Sequence, residues 1–444
     1  MSGAPDVDTI TGLLHQHLDP AARCTGISRA PSGNSQETWF LDIDGSDETS
    51  SLVLRRSAAG GTLEWSDRGI EVAVLGAVHA AGLPVPLVRW WEPDGGSLDR
   101  AYAVLDRAPG SNPDVRNAAV GTVVETELGR LLAALHRQAD PPLALERPTA
   151  TVDATLAQLD FWTHRARTNP VTPPITAALC GWLASNVPDD DAESVLLWGD
   201  PGPHNVLTDE SGSITALLDW ELAHVGHPLS DLGAARWSCL GDLDRERMTA
   251  AYEIHAGYQI DRDTLAWFEV LACVSRSVML FDGVQAVLDG RSRDMNLLGL
   301  GTALVSANML IAAEIAWGIG PDDVTQVMSA RAAALHPTPE ERAHAIAQFL
   351  TKDVLGAVSD ARVRRSVKVA AALLTAGDRK TGEPPLDAWA AFDVDATGTT
   401  TAESRRRLVA DVIAARATQR SILDLYGAAV ALRFDRPETG PKQT

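Results

Sequence analysis

The stretch from Ser194 to Glu221, SVLLWGDPGPHNVLTDESGSITALLDWE, narrows most sharply what this chain can build. An apolar run enters a loop of Gly, Pro and polar residues. Two short strand-like segments follow, VLTD and ITALLD, joined by the turn residues Asp209-Glu210-Ser211-Gly212. Asn205 stands five positions after Asp200, and Asp219 fourteen after Asn205. A hairpin between the two segments would carry Asp219 back toward Asn205. Asp and Asn favour turns in any case, so the double spacing and the hairpin, rather than residue type, argue for a site.

An Asp, an amide oxygen five residues on and a second Asp returned by a hairpin are the groups that phosphoryl transfer from a nucleotide needs. The Asn and the second Asp offer hard oxygen ligands to Mg²⁺, and the first Asp orients an attacking hydroxyl and accepts its proton. The same order of residues forms the D-x-x-x-x-N catalytic loop and metal-binding Asp of protein kinases.

The rest of the chain reads as a mixed segment followed by helices. TWFLDI (38–43) and SLVLRR (51–56) form a hairpin signature around a polar loop. Ile70, Val74, Leu75 and Val78 lie at helical spacing before a stop at Gly82. LPVPLVRWWE and RAYAVLDRA read as further strands, the first carrying prolines that suit an edge. After the connector APGSNPD (108–114), helices are expected at 120–138, 155–167 and 174–187, and again from 238 to 319. The expected division is residues 1–110 as a nucleotide-binding lobe, 111–325 as a helical lobe with the catalytic loop, and 335–435 as an appended helical domain.

WGDPGPHN and LDWE, with GHPLSDLGAARW after them, resemble the aminoglycoside phosphotransferase and choline kinase branch of the kinase-like superfamily. The resemblance covers about residues 20–320. It implies an α+β, two-lobed protein-kinase-like fold, with an antiparallel-sheet N-lobe and a mainly helical C-lobe, that binds ATP between the lobes. Asp200 would be catalytic, Asn205 and Asp219 would hold Mg²⁺, and Asp231 would brace the catalytic loop from a helix start. Ser32, Gly33, Asn34 and Ser35 would cover the phosphates. Arg55 would bind phosphates with Glu71 as its ion-pair partner, and adenine would meet backbone near Asp106 and Ala108. Helices between about 240 and 320 would form the acceptor pocket.

Two positions depart from the family pattern. Arg55 replaces the usual lysine, which keeps the charge but adds bulk and a forked geometry. Trp198 replaces a His at a structural position. LVLRR and LLDWELAHVGHPLSDL look most similar to the branch associated with acyl-CoA dehydrogenases, which implies a hydroxyacyl-CoA as the small-molecule hydroxyl substrate. An aminoglycoside or macrolide kinase is the rival enzyme, and a catalytically silent kinase-fold binding module the rival of another class.

The net charge of −21 argues against a nucleic-acid partner, because phosphate neutralisation needs surplus Lys and Arg. No run reaches ~18 uninterrupted apolar residues, so no membrane association is expected. The four cysteines are far apart and form no CxxC, which suits a cytoplasmic protein without disulfides or zinc. His204, His224 and His227 match no metal-ligand spacing and read as loop and packing residues. The basic runs near residues 362–368 and 405–407 read as solvated helix faces of the tail domain, which could also serve self-association or a partner.

Overall fold

The computed structural model describes residues 4–30, 36–46, 50–57, 66–169, 172–190, 192–238, 243–292, 295–320 and 402–417, with isolated positions elsewhere. Ser32, Gly33, Asn34 and Ser35, and most of the expected domain at 335–435, lie outside the described residues. The described residues form two compact units, one of residues 1–154 with 191–260, the other of 155–190 with 261–444.

The first unit is built on an antiparallel sheet of β1 (Arg23–Arg29), β2 (Gln36–Asp44), β3 (Ser51–Ser57), β4 (Val88–Glu92) and β5 (Tyr102–Asp106). The spatial order is β1-β2-β3-β5-β4, so β4 is an edge, as its preceding prolines require. Helix α1 (Val7–His17) begins at Asp6, whose carboxylate caps the Thr9 amide at 2.8 Å. Its Ile10, Leu13 and Leu14 join a core with Trp39, Leu41, Leu52, Leu54 and Val104. Strand alternation therefore turns Arg55 to the face opposite that core. Arg56 points the other way and is buried against Glu37, at 2.6 Å. Helix α2 (Arg68–Ala80) starts at the Asp67 cap and carries Glu71 in its first turn.

The remaining elements of this unit are α3 (Ala118–Gln138), the paired strands β6 (Val195–Leu197) and β9 (His224–Gly226), the hairpin β7 (Val206–Thr208) and β8 (Ile214–Leu217), α6 (Pro228–Ser238) and α7 (Arg245–Ala256). The connector after β5 is sewn to the hairpin. Ser111 and Thr208 exchange backbone hydrogen bonds at 3.1 and 2.8 Å, the Thr215 hydroxyl donates to the Pro109 carbonyl at 2.6 Å, and the Leu217 amide donates to the Pro84 carbonyl at 2.7 Å. These bonds place the hairpin in the same unit as the sheet.

The second unit is helical. It contains most of α4 (Thr151–Thr168), then α5 (Pro174–Ser185), α8 (Arg262–Leu288), α9 (Met295–Trp317) and α10 (Ala402–Ala417), with α10 packed on α9 and α5. By length and composition α8 could cross a membrane, but 78% of its apolar window is buried within the protein, the condition of a core helix.

Candidate active site

β6 delivers Trp198 and Gly199 to the loop, and Asp231, in the first turn of α6, holds both. Its Oδ2 accepts the Trp198 amide at 2.7 Å and its Oδ1 the Gly199 amide at 2.8 Å. Asp231 is 1% exposed, so the loop is pinned by charge-assisted bonds inside the protein. Trp198 stacks on Trp220, with ring centroids 5.4 Å apart, and its indole N–H donates to the Leu218 carbonyl at 2.9 Å. The residue in the usual His position thus ties the loop to the segment bearing Asp219.

Gly199 has φ of +89°, and a Cβ there would lie 2.2 Å from the Leu222 carbonyl oxygen. Gly199→Ala combines a left-handed backbone, about 1–2 kcal/mol, with that clash. We expect a loss of at least about 2 kcal/mol in denaturant unfolding. An unchanged midpoint would show that the turn is less tightly held than described.

Asn205 donates through Nδ2 to the Asp200 carbonyl oxygen at 2.9 Å and to Asp200 Oδ2 at 3.0 Å. This fixes the amide and leaves Oδ1 as the end able to face a cation. The Asn205 carbonyl accepts the Leu218 amide at 2.8 Å, so the hairpin does return Asp219 to its neighbourhood. Asp219 has φ of 62°, a left-handed conformation uncommon outside glycine.

Arg55 joins the sheet to this segment. Its Nη1 meets Glu71 Oε1 at 2.5 Å and its Nη2 meets Asp219 Oδ1 at 2.8 Å. Burial opposes the Arg55 charge, but Glu71, Asp219 and Glu221 outweigh it and raise the pKa further. Glu71 is buried, and its Oε2 accepts Gln36 Nε2 at 2.8 Å. Glu221 completes the cluster, accepting Gln36 Nε2 at 3.2 Å and pairing closely with Arg68. Gln36 and Arg68 were not expected here. Their signal was faint, an Arg three positions before Glu71 on one helix face and a Glu in the DWE triplet.

The expected residues do not all converge. Arg55 and Glu71 line a small pocket of about 10 Å³ with Gln36 and Arg68. Asp106 and Ala108 line a separate cavity of about 840 Å³ with Leu87, Arg89 and Arg107. The Asp106 amide donates to the Leu87 carbonyl at 2.9 Å and its carboxylate accepts Arg89 Nε at 2.6 Å. A base meeting this segment must therefore use groups other than that amide. His204 Nε2 lies 3.3 Å from Asp200 Oδ2, His224 bonds the Leu222 carbonyl, and His227 Nδ1 accepts the Leu229 amide.

Residues 26–268, more than half of the chain, match the phosphotransferase enzyme family (APH). The chain belongs to that family. A protein from Ralstonia eutropha, named as an aminoglycoside phosphotransferase, shares the fold of this family member. The TM-score is 0.56 and the identity 21%, over 70% of this chain and 98% of that one. LicA, solved with AMP, gives a TM-score of 0.52 at 13% identity, over 70% of this chain and 100% of the other. Among curated proteins, acyl-CoA dehydrogenase family member 11 of Rattus norvegicus is 30% identical over 51% of this chain and 30% of its own length. Family member 10 of Mus musculus is 26% identical over 47% of this chain and 20% of its own. The phosphotransferase-family chain thus spans less than a third of these relatives' length.

In this phosphotransferase-family protein Glu221 is a site carboxylate pushed well above its ordinary range. Burial, with Asp219 adding to it and Arg68 and Arg55 opposing, raises its pKa from 4.5 to about 7. The folded protein then holds a proton that the unfolded chain releases, so the contribution is fully present below about 4.5 and is lost as pH rises through about 7. Without divalent cations, stability should fall by about 3 kcal/mol across that window through this group. Glu221→Gln should flatten the slope in urea unfolding at pH 4.5–8. An equally steep slope in the variant would assign the titration elsewhere.

Proposed function

We propose that this chain transfers the γ-phosphoryl group of ATP to a hydroxyl of a small molecule, with a hydroxyacyl-CoA as the favoured acceptor. The observation that carries the reading is the joining of Asp200 to Asn205, and of Asp219 to Arg55 and Glu71, inside one unit. Among the described residues no group of three His, Cys, Asp or Glu could hold a metal alone. The Asn205 oxygen and the Asp219 carboxylate instead suit Mg²⁺, which takes few protein ligands and completes its shell with phosphate oxygens and water. Held there, Mg²⁺ would supply charge neutralisation for the phosphate groups.

Asp200 would orient the acceptor hydroxyl and take its proton as the new oxygen–phosphorus bond forms and the bond to ADP breaks. Arg55, held by Glu71, would bind the nucleotide's phosphate oxygens. Positioning and fixed charge would therefore supply the catalysis. The nucleotide assignment is supported by AMP in the LicA structure, and the acceptor class by the names of the curated relatives. The cytoplasmic setting expected from the cysteines belongs to the same reading.

A coupled ADP-release screen across hydroxyacyl-CoAs, aminoglycosides, macrolides and small alcohols tests it. Acceptor-dependent ADP release only with hydroxyacyl-CoAs supports the assignment, and turnover confined to an antibiotic would replace it. ATP binding with no transfer to any acceptor would favour a silent binding module.

A further inference from the structure

We propose that Tyr252 is a positioning residue for phosphoryl transfer, its hydroxyl donating to Nδ1 of His136 and so holding the ring whose Nε2–H bonds Asp231, the residue that holds the backbone of the Asp200 loop. The inference rests on the reading of that loop as the transfer site.

Asp231 accepts the Trp198 and Gly199 amides, and its Oδ2 also lies 3.1 Å from His136 Nε2. A carboxylate in that role can only accept, so His136 Nε2 carries a hydrogen. In a neutral imidazole Nδ1 is then bare, and it sits 2.8 Å from the Tyr252 hydroxyl. That hydroxyl must donate to it, and can in turn accept from the Tyr258 hydroxyl at 3.3 Å. Donation thus runs from Tyr258, 48% exposed, through buried Tyr252 and His136 to Asp231, which also accepts the two amides of the catalytic loop. Burial, reinforced by Tyr258 and Asp231, pushes the Tyr252 pKa upward, which keeps the phenol a donor.

The packing that brings these groups together is specific. A Cβ on Gly129 would lie 2.2 Å from the Met248 carbonyl oxygen, so α3 and α7 approach backbone to backbone at that point. His136 lies two turns beyond Gly129 and Tyr252 one turn beyond Met248, on the same faces. The rings meet edge to face with centroids 5.6 Å apart. Tyr252→Phe keeps this packing and removes only the donor.

The test uses the full chain with ¹⁵N-labelled histidine, the His136 signals being assigned by their loss in His136→Gln. The wild type should show a neutral imidazole protonated at Nε2. Tyr252→Phe should keep that tautomer but move the Nδ1 resonance toward that of a ring nitrogen without a hydrogen bond, and lower kcat about tenfold, with KM for ATP changed less than about twofold. His136→Gln, whose amide can donate to Asp231, should retain more activity than His136→Ala. A doubly protonated or Nδ1-protonated His136 in the wild type, or an unchanged Nδ1 resonance and kcat in Tyr252→Phe, would overturn the proposal. Asp200→Asn separates the two readings, because it should remove turnover and leave the His136 signature intact. If the wild type transfers phosphate to no acceptor, the function reading fails and the His136 resonances still decide the hydrogen-bond chain.

Discussion

Asp200→Asn should lower phosphoryl transfer by roughly 10²–10⁴-fold, the range for removing a general base. The fold should survive, because an asparagine oxygen can still accept the Asn205 Nδ2 hydrogen bond that the carboxylate accepts at 3.0 Å. ATP affinity should change little, since Arg55, Asn205 and Asp219 are untouched. Single-turnover transfer and nucleotide binding, measured on the same preparation, separate the two effects. Full turnover in this variant would remove Asp200 from the chemistry, and loss of nucleotide binding would show that it acts on the site's architecture instead.

Changes at Arg55 should act on both stability and nucleotide affinity. Its two terminal nitrogens serve different acids, Glu71 at 2.5 Å and Asp219 at 2.8 Å, while Glu221 adds negative charge nearby. Arg55→Ala takes from buried Glu71 its nearest cation and leaves Arg68 at 3.8 Å, so the cost should fall near the low end of the about 3–5 kcal/mol for removing one member of a buried pair. Denaturant unfolding should record that loss, and ATP affinity should fall at least about tenfold with it. Arg55→Lys keeps one charge on one nitrogen and cannot reproduce both contacts in the same geometry. We expect it to bind ATP nearly as well as the native protein and to recover most of the stability lost in the alanine variant. Unchanged affinity in Arg55→Ala would exclude Arg55 from phosphate binding.

The parts of the site legible in the sequence are those set by short-range chain geometry. Asp200, Asn205 and Asp219 are separated by one loop and one hairpin, and turn chemistry alone brings them into register. Arg55 and Glu71 were expected only through the family resemblance, and the face of β3 and the start of α2 are what let the two meet. Helix α1 was not expected, although the Asp6 cap and the spacing of Ile10, Leu13 and Leu14 mark it. The Gln36–Arg68–Glu221 cluster was not legible, since Glu221 lies 185 and 153 positions from its two partners and only the tertiary fold joins them. Likewise no local pattern states that the hairpin belongs with the sheet. That follows from the bonds of Ser111, Thr208, Pro84 and Leu217, formed after the chain has passed through α3, α4 and α5.

The claim at the centre of this account is that the Asp200 loop moves phosphate to a hydroxyl, and a ³¹P spectrum observes that bond directly. With ATP, Mg²⁺ and a hydroxyacyl-CoA, the native protein should produce a new phosphomonoester resonance in step with ADP, and Asp200→Asn should produce neither on the same timescale. ADP accompanied only by inorganic phosphate, or a phosphomonoester formed equally well by Asp200→Asn, would contradict it.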